Sequence, residues 1–430
     1  MAYKRGVEGM RRNEVVVTGL GAITPLGGDV GSTWEALLAG ESGIRGNVLH
    51  GQVDGELAGT VAGTMALDPA EHLSPVQARR MDRSQQAALV AAAEAWADAG
   101  SPEVDPERLA SAVGTGIGGI QTLLKEDDVL ERSGARRVSP RTVPMLMPNA
   151  AAALISIAYD ARAGVYTPVS ACSSGAEAIA LGARLIRSGE ADVVIAGGTE
   201  AAISPITVAG FKQTQALSQY SAEPASASRP FAADRSGFVL AEGAAVLVLE
   251  SAEHAAARGA RVHAVLAGAG IAADAHHITA PAPDGGGQIS AMRKALAQAG
   301  LAPGQIGHIN AHATGTPVGD AAEARAISEL FGPATVTAPK AALGHLFGAA
   351  GAIEALLAVL SVKHGVVPPT RNLTPAGIDP DISLDIATEL RNLPQHAVLS
   401  NSFGFGGQNV SLVFTSAQDH KAMAHTPGSS

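Results

Sequence analysis

The sequence predicts an α/β protein built in layers from two related halves. Two observations carry this. Short runs of Val, Ile and Leu alternate with Ala-rich helical segments along most of the chain, the pattern of buried strands covered by helices. Two sequence echoes also recur in the same order, which points to an internal duplication. With 46% hydrophobic residues there is ample material for a large core, and with 3% aromatics that core rests on Ala, Val, Leu and Ile.

In chain order, Val15-Val16-Val17 reads as a buried strand that ends in a glycine turn at Thr18-Gly19-Leu20-Gly21. Ser32-Thr33-Trp34-Glu35 reads as the capping box of the next helix, and Gly40 as its stop. A helix is expected over Ala176 to Arg187, followed by the strand Val193-Val194-Ile195. Val246-Leu247-Val248-Leu249 is a further strand. Val16-Val17-Thr18-Gly19-Leu20-Gly21 is echoed by Val265-Leu266-Ala267-Gly268-Ala269-Gly270. Cys172-Ser173-Ser174-Gly175 opens an Ala-rich helix, and so does His345-Leu346-Phe347-Gly348. The expected boundaries are an extension over 1–14, one half over 15–260, a second over 261–416 and a disordered tail over 417–430.

Composition excludes several classes. There are 30 Lys and Arg against 40 Asp and Glu, a net charge of −10. Neither nucleic acid nor an anionic membrane is an expected partner for such a surface. The 1 cysteine can form neither an internal disulfide nor a cysteine-cluster zinc site, and it suggests a reducing compartment. The basic start MAYKRGVEGMRRNE lacks an apolar core and is not read as a signal peptide, and Glu354 interrupts the longest apolar stretch. A cytoplasmic protein is expected.

The chemistry-bearing residues fall in four places. Cys172 stands where an extended segment meets a helix N-terminus, whose dipole and free N–H groups favour the thiolate. It is either a nucleophile or a buried structural thiol. His312, in Asn310-Ala311-His312-Ala313-Thr314-Gly315-Thr316, and His345, after Lys340-Ala341-Ala342-Leu343-Gly344, both sit at turn–helix junctions. Positive potential there favours the neutral imidazole, which can donate one hydrogen bond to a developing enolate oxygen. Their Thr and Gly surroundings speak against filler, which is the reading for His254, His263, His420 and His425. No zinc spacing is present and no metal is expected. Lys340 and Glu354 lie in apolar stretches and read as a buried ion pair, with two unrelated surface charges as the alternative. Asn401-Ser402-Phe403-Gly404-Phe405-Gly406-Gly407 offers unhindered N–H groups for an oxyanion and two phenylalanines for an apolar gate. Its alternative is a plain hairpin with core phenylalanines.

Taken together, Ala171-Cys172-Ser173-Ser174-Gly175, His312-Ala313-Thr314-Gly315-Thr316, Lys340 with Gly344-His345, and Asn401 to Gly407 resemble the β-ketoacyl-[acyl-carrier-protein] synthases I/II over roughly Val15 to Phe414. Ala99 to Asp105 and Met147-Pro148-Asn149 are similar to actinobacterial members, closest to synthase II. The resemblance implies the thiolase fold, a duplicated five-layer αβαβα arrangement. It implies a decarboxylative condensation of malonyl carrier protein with an acyl group on Cys172. His312 and His345 would stabilise the enolate, Lys340 with Glu354 would organise the site, and the N–H groups of Cys172 and Phe405 would hold the oxyanion. Phe405 and Phe403 would form the gate. Thr314 and Thr316 would contact the phosphopantetheine arm, Thr279 would bind substrate, and Ile117 would line the acyl pocket. Arg79, Arg80, Arg136 and Arg137 would meet acidic acyl carrier protein, while Gln215 and Val76 depart from the basic residues found in some members.

The resemblance also implies a homodimer and no cofactor beyond the carrier's phosphopantetheine. Two related classes fit less well. A thiolase needs a second cysteine, and an initiating synthase needs one histidine with a matching asparagine. A ketosynthase subunit of a type II polyketide system is the nearest alternative. A non-catalytic subunit resembling chain-length factors is another, although such subunits typically lack the cysteine.

Overall fold

The computed structural model describes residues 14–49, 53, 55–220 and 222–417. The expected extension and tail lie outside them, apart from Glu14 and Ala417, as do His420 and His425. The main strands are β1 (Val15–Ile23), β2 (Leu109–Gly114), β3 (Gly164–Tyr166), β4 (Val193–Glu200), β5 (Gly243–Ser251), β6 (Ala264–Ala273), β7 (Ile306–Asn310), β8 (Thr335–Thr337), β9 (Asp385–Ile386), β10 (Ala397–Gly404) and β11 (Gln408–Ser416). The helices that matter here are α1 (Val30–Leu38), α2 (Arg83–Asp98), α3 (Ile120–Ser133), α4 (Ala150–Tyr159), α5 (Ser174–Arg187), α6 (Pro205–Gln213), α7 (Gly286–Ala299), α8 (Pro317–Phe331) and α9 (Ala350–His364).

The strands form one 11-stranded mixed sheet in the order β9-β8-β7-β10-β11-β6-β1-β5-β4-β2-β3. Read outward from the centre, each half repeats one rule. The innermost strand pairs antiparallel with its neighbour (β1 with β5, β6 with β11), and so does the next pair. The following pairings are parallel. The halves join where Val16 faces Val265 and Val17 faces Ala264. This is the duplication that the two echoes predict. Helices α5 and α9 lie between the two wings of the sheet, α2 and α4 cover one outer face, and α7 and α8 the other. The result is the expected five-layer αβαβα arrangement.

Both faces of the central strands are covered, which is why they read as unbroken apolar runs. In β4 and β5, Val194, Ala196, Leu247 and Leu249 face the inner helices, while Val193, Ile195, Val246 and Val248 face the α2 side. Phe347–His364, including α9, is long and apolar enough to cross a membrane, yet 89% of it is buried between the wings.

Two local expectations need correction. Gly19 and Gly21 do not end a strand. They lie within β1, beside a bulge after Val17. Their role is close approach: a Cβ on Gly21 would fall 2.0 Å from the Ala91 carbonyl oxygen of α2. The duplicate repeats the contact, with Gly270 at 2.0 Å from Ala291 O of α7. Second, the N-cap of α1 is Asp29, whose carboxylate accepts from Ser32 N at 2.7 Å. Ser32 is the reciprocal partner inside the first turn, so the capping box starts three residues earlier than expected. Gly40 does follow the helix end, at φ +69°.

Gly21→Ala and Gly270→Ala should each force a helix off its strand and destabilise the protein by about 1–3 kcal/mol. Urea unfolding measures this, and a variant as stable as the parent would show that the helix contact is not tight.

Candidate active site

The extended segment before Cys172 ends at Ala171, whose φ of +50° is left-handed. For a residue with a Cβ that backbone costs ~1–2 kcal/mol. Serine hydroxyls hold it. Ser174 Oγ accepts from Ser170 N at 2.9 Å and donates to Ala171 O at 2.7 Å, and Ser173 Oγ donates to Ser170 O at 2.8 Å. Ser173 and Ser174 therefore shape the turn as well as leaving space. Cys172 sits in a single 3-10 turn, Ala171–Ser173, that runs into α5. The second half copies this, with a 3-10 turn Phe347–Ala349 leading into α9 just after His345.

His345 Nε2 lies 3.0 Å from Cys172 Sγ. The His312 ring stands edge-on to His345 with centroids 5.5 Å apart. Donor atoms of Cys172, His312 and His345 fall within 4.8 Å of one another. Lys340 and Glu354, both almost fully buried, form an ion pair. The Lys340 ammonium also donates to His312 O at 2.6 Å and stands 3.3 Å from His312 Nδ1. An ammonium can only donate, so Nδ1 is the acceptor and the ring proton of His312 sits on Nε2.

Burial sets the protonation of the site, followed by Lys340. Both imidazoles are held well below their ordinary range, by loss of solvent first and by the Lys340 charge second. They are neutral, as expected, but the helix termini are not the leading cause. At the sulfur, burial works against the expected anion. Burial pushes the Cys172 thiol up to about 11, against the opposite pull of Lys340 and of a hydrogen bond from the Phe405 N–H. Desolvation penalises the anion more than a helix end favours it. The resting group is a thiol beside a neutral imidazole.

Carboxylates not recognised from sequence hold these loops. Glu323 of α8 accepts from His312 N at 2.9 Å and Ala313 N at 2.7 Å. Asp320 accepts from Gly315 N at 3.0 Å and Phe231 N at 2.8 Å. Glu200, at the end of β4, bridges the halves by accepting from Gly116 N at 2.6 Å and Gly348 N at 3.1 Å. Burial pushes Glu200, Glu323 and Glu354 up to about 7 and Asp320 to about 6. The signal available in the sequence was a single charge closing a run of buried residues, as in Val-Val-Ile-Ala-Gly-Gly-Thr-Glu.

A cavity of about 540 Å³ opens onto Cys172, His312 and His345. Thr314, Thr316, Thr279, Ile117, Phe403 and Phe405 all line it, and so does Gln215. Phe405 begins the turn between β10 and β11, where Gly406 and Gly407 take φ of +83° and +68°. The segment is thus a tight hairpin as well as part of the cavity wall. Five of the chain's 8 phenylalanines, Phe211, Phe238, Phe347, Phe403 and Phe405, line this one cavity. In so aromatic-poor a chain, that placement was the signal for the wall residues Phe211, Phe238 and Phe347.

The segment 12–255 matches the model for the beta-ketoacyl synthase N-terminal domain, and 263–374 matches the model for the C-terminal domain. The chain belongs to the β-ketoacyl synthase family. It is 46% identical over 405 residues to a 3-oxoacyl-[acyl-carrier-protein] synthase 2 of Mycobacterium tuberculosis, covering 93% of this chain and 96% of that one. It is similar in structure to a beta-ketoacyl synthase from Burkholderia phymatum, with a TM-score of 0.86, 35% identity and coverage of 94% and 99%. A ketosynthase complexed with its type II polyketide acyl-carrier protein gives a TM-score of 0.85 at 29% identity, covering 94% of this chain and 100% of that one.

In this β-ketoacyl synthase the four expected arginines are exposed and lie away from the cavity lining. Arg79 and Arg80 follow the short helix Pro75–Ala78, and Arg136 and Arg137 form the turn after α3. Arg79 shares a groove with Lys125 of α3 and with Pro205, the first residue of α6. The far end of α6, around Phe211, reaches the cavity. His254 and His263, read as fillers, pair with Glu250 and Asp98 respectively, each at 2.7 Å.

Cys172 is the only cysteine, so alkylation by iodoacetamide reports it alone. With the thiol pushed upward, the rate should climb about ten-fold per pH unit between pH 6.5 and 9. A plateau already reached near pH 7 would mean that the anion is the resting form.

Proposed function

We propose that the chain is a β-ketoacyl-[acyl-carrier-protein] synthase of fatty acid elongation. The observation that carries this is Cys172 Sγ at 3.0 Å from His345 Nε2, with His312 edge-on beside them, at the base of a cavity. Sγ attacks an acyl carrier-protein thioester. Its proton moves to His345 Nε2 and on to the departing carrier thiolate. The N–H groups of Cys172 and Phe405 hold the oxyanion, a role supported by the Phe405 amide already bonding to the sulfur. Malonyl carrier protein follows. As carbon dioxide leaves, the His312 Nε2–H bonds to the thioester oxygen of the enolate, and so does His345 once its ring has shifted to the tautomer that carries the proton on Nε2. The enolate carbon then attacks the acyl carbonyl, and the C–S bond to Cys172 breaks. A 3-ketoacyl thioester two carbons longer departs, and the Cys172 thiolate takes a proton from solvent.

Lys340 and Glu354 position the histidines. Thr314 and Thr316, with hydroxyls 3.1 Å apart, and Thr279 meet the pantetheine arm at the mouth, with Ile117 on the acyl side. Phe405 and Phe403 serve as the gate. Every step uses groups of this chain and its thioester substrates, so no metal or resident cofactor is required. The likeness to a type II polyketide ketosynthase supports the same chemistry, while the higher identity to the mycobacterial synthases supports the fatty-acid assignment.

Acyl carrier protein is the proposed partner, met by Arg79, Arg80, Arg136 and Arg137 and not by the acidic surface as a whole. A homodimer is proposed through the free edge of β3. Val165 and Val169 are exposed there, as are Val143 and Ile157 of the neighbouring segments, an apolar set that a second copy would cover. The proposed location is cytoplasmic, in keeping with a chain whose single cysteine must stay reduced.

Incubation with acyl carrier-protein thioester followed by intact-mass spectrometry tests the assignment. The parent should gain one acyl group, and Cys172→Ala none; acylation persisting in that variant would refute the proposal. His312→Ala should cut malonyl decarboxylation by about 10²-fold or more while acylation of Cys172 falls much less, as expected for a group acting on one transition state. His345→Ala should impair both half-reactions, because of the two histidines it is His345 that touches the sulfur. Equal losses for His312→Ala in both would contradict the division of roles.

A further inference from the structure

Phe347 takes no part in the chemistry above, yet it combines three unusual features. Its φ is +46°, a left-handed backbone that a bulky aromatic residue rarely adopts. Its ring stacks on His345, with centroids 4.8 Å apart and planes at 28°, and on Phe211, at 5.1 Å and 25°. Phe238 stands edge-on to both phenylalanines, at 5.7 Å from Phe347 and 5.3 Å from Phe211. All three rings line the cavity beside Cys172. They also belong to an apolar cluster with Leu49, Ile203 and Val208, none of which reaches the cavity. The aromatic rings therefore stand between the cavity and buried aliphatic side chains that do not line it, in the same cluster as Cys172.

This group of rings is apolar and tightly interlocked. Phe347 cannot swing away without breaking two stacks, and its backbone is tied from the next residue, where Gly348 N donates to Glu200 at 3.1 Å. Gly348 itself has no room for a side chain, since a Cβ there would meet Gly116 N at 2.3 Å. A wall fixed from both ends gives a fixed depth.

We infer that Phe347 is a specificity-determining residue, the ring that, with Phe211, limits the depth open to an acyl group on Cys172 and so favours short acyl chains. Removing the ring joins the cavity to the aliphatic cluster behind it and admits longer ones. The inference rests on Cys172 being the acylated residue.

The test is acylation of Cys172 by carrier-protein thioesters of graded saturated chain length, followed by intact-mass spectrometry for the parent, Phe347→Leu, Phe347→Ala and Phe211→Ala. Expressing each result as the ratio of long-chain to short-chain acylation rates removes any general loss from a displaced His345. The expected result is a ratio raised by about ten-fold or more in Phe347→Ala, the scale on which apolar pockets discriminate by single methylenes, with Phe347→Leu in between. Phe211→Ala should move the ratio in the same direction, which keeps the test open if one variant folds poorly. A parent already indifferent to chain length would overturn the inference. So would variants that lose all chain lengths in proportion, since Phe347 would then only support His345. A parent acylated by no donor at all would bring down the underlying assignment instead, and this inference with it.

Discussion

The site depends on one buried ammonium. Lys340 is enclosed among Glu354, the His312 carbonyl and His312 Nδ1, and nothing else in the site fixes so much at once. Its donation to Nδ1 places the His312 proton on Nε2. Its charge helps hold both imidazoles neutral and draws the sulfur modestly toward ionisation. An isolated ammonium at such depth would be prohibitively costly, and Glu354 from the inner helix α9 offsets that cost. The pair is therefore better understood as setting protonation states than as adding stability.

The duplicated fold brings these groups together. The cysteine turn precedes α5 in one half, and the His345 turn precedes α9 in the other. Because α5 and α9 pack side by side between the wings, equivalent turns meet at one end of the molecule, one carrying the nucleophile and the other its base. Glu200 fastens the two halves by bonding Gly116 from one and Gly348 from the other. The same close packing that gives this rigidity removes water. Desolvation then yields neutral imidazoles, suited to donating hydrogen bonds to an enolate, and a thiol that must release its proton as it attacks.

The layered class, the duplication and the cysteine, histidine and lysine segments were legible because each is a local pattern with a chemical reason. Cys172 follows an extended segment, the two histidines stand in Thr- and Gly-rich turns, and charged Lys340 and Glu354 interrupt apolar runs. What was not legible depends on neighbours distant in sequence. Gly19 and Gly21 look like turn residues until α2 is seen lying on them. Asp29 outcompetes Ser32 as a cap because of where the backbone turns. The helix-end argument for Cys172 was sound locally, but enclosure by the second half of the chain reverses its outcome. Glu200 and Glu323 bond backbone amides from other segments, which no spacing rule reveals.

The most direct test of this account is nitrogen NMR of the histidine-labelled protein from pH 5 to 8. The account predicts that His312 stays neutral throughout with its proton on Nε2, and that Lys340→Met abolishes that tautomer preference. A His312 ring that titrates near pH 6.5, or that carries its proton on Nδ1, would contradict it.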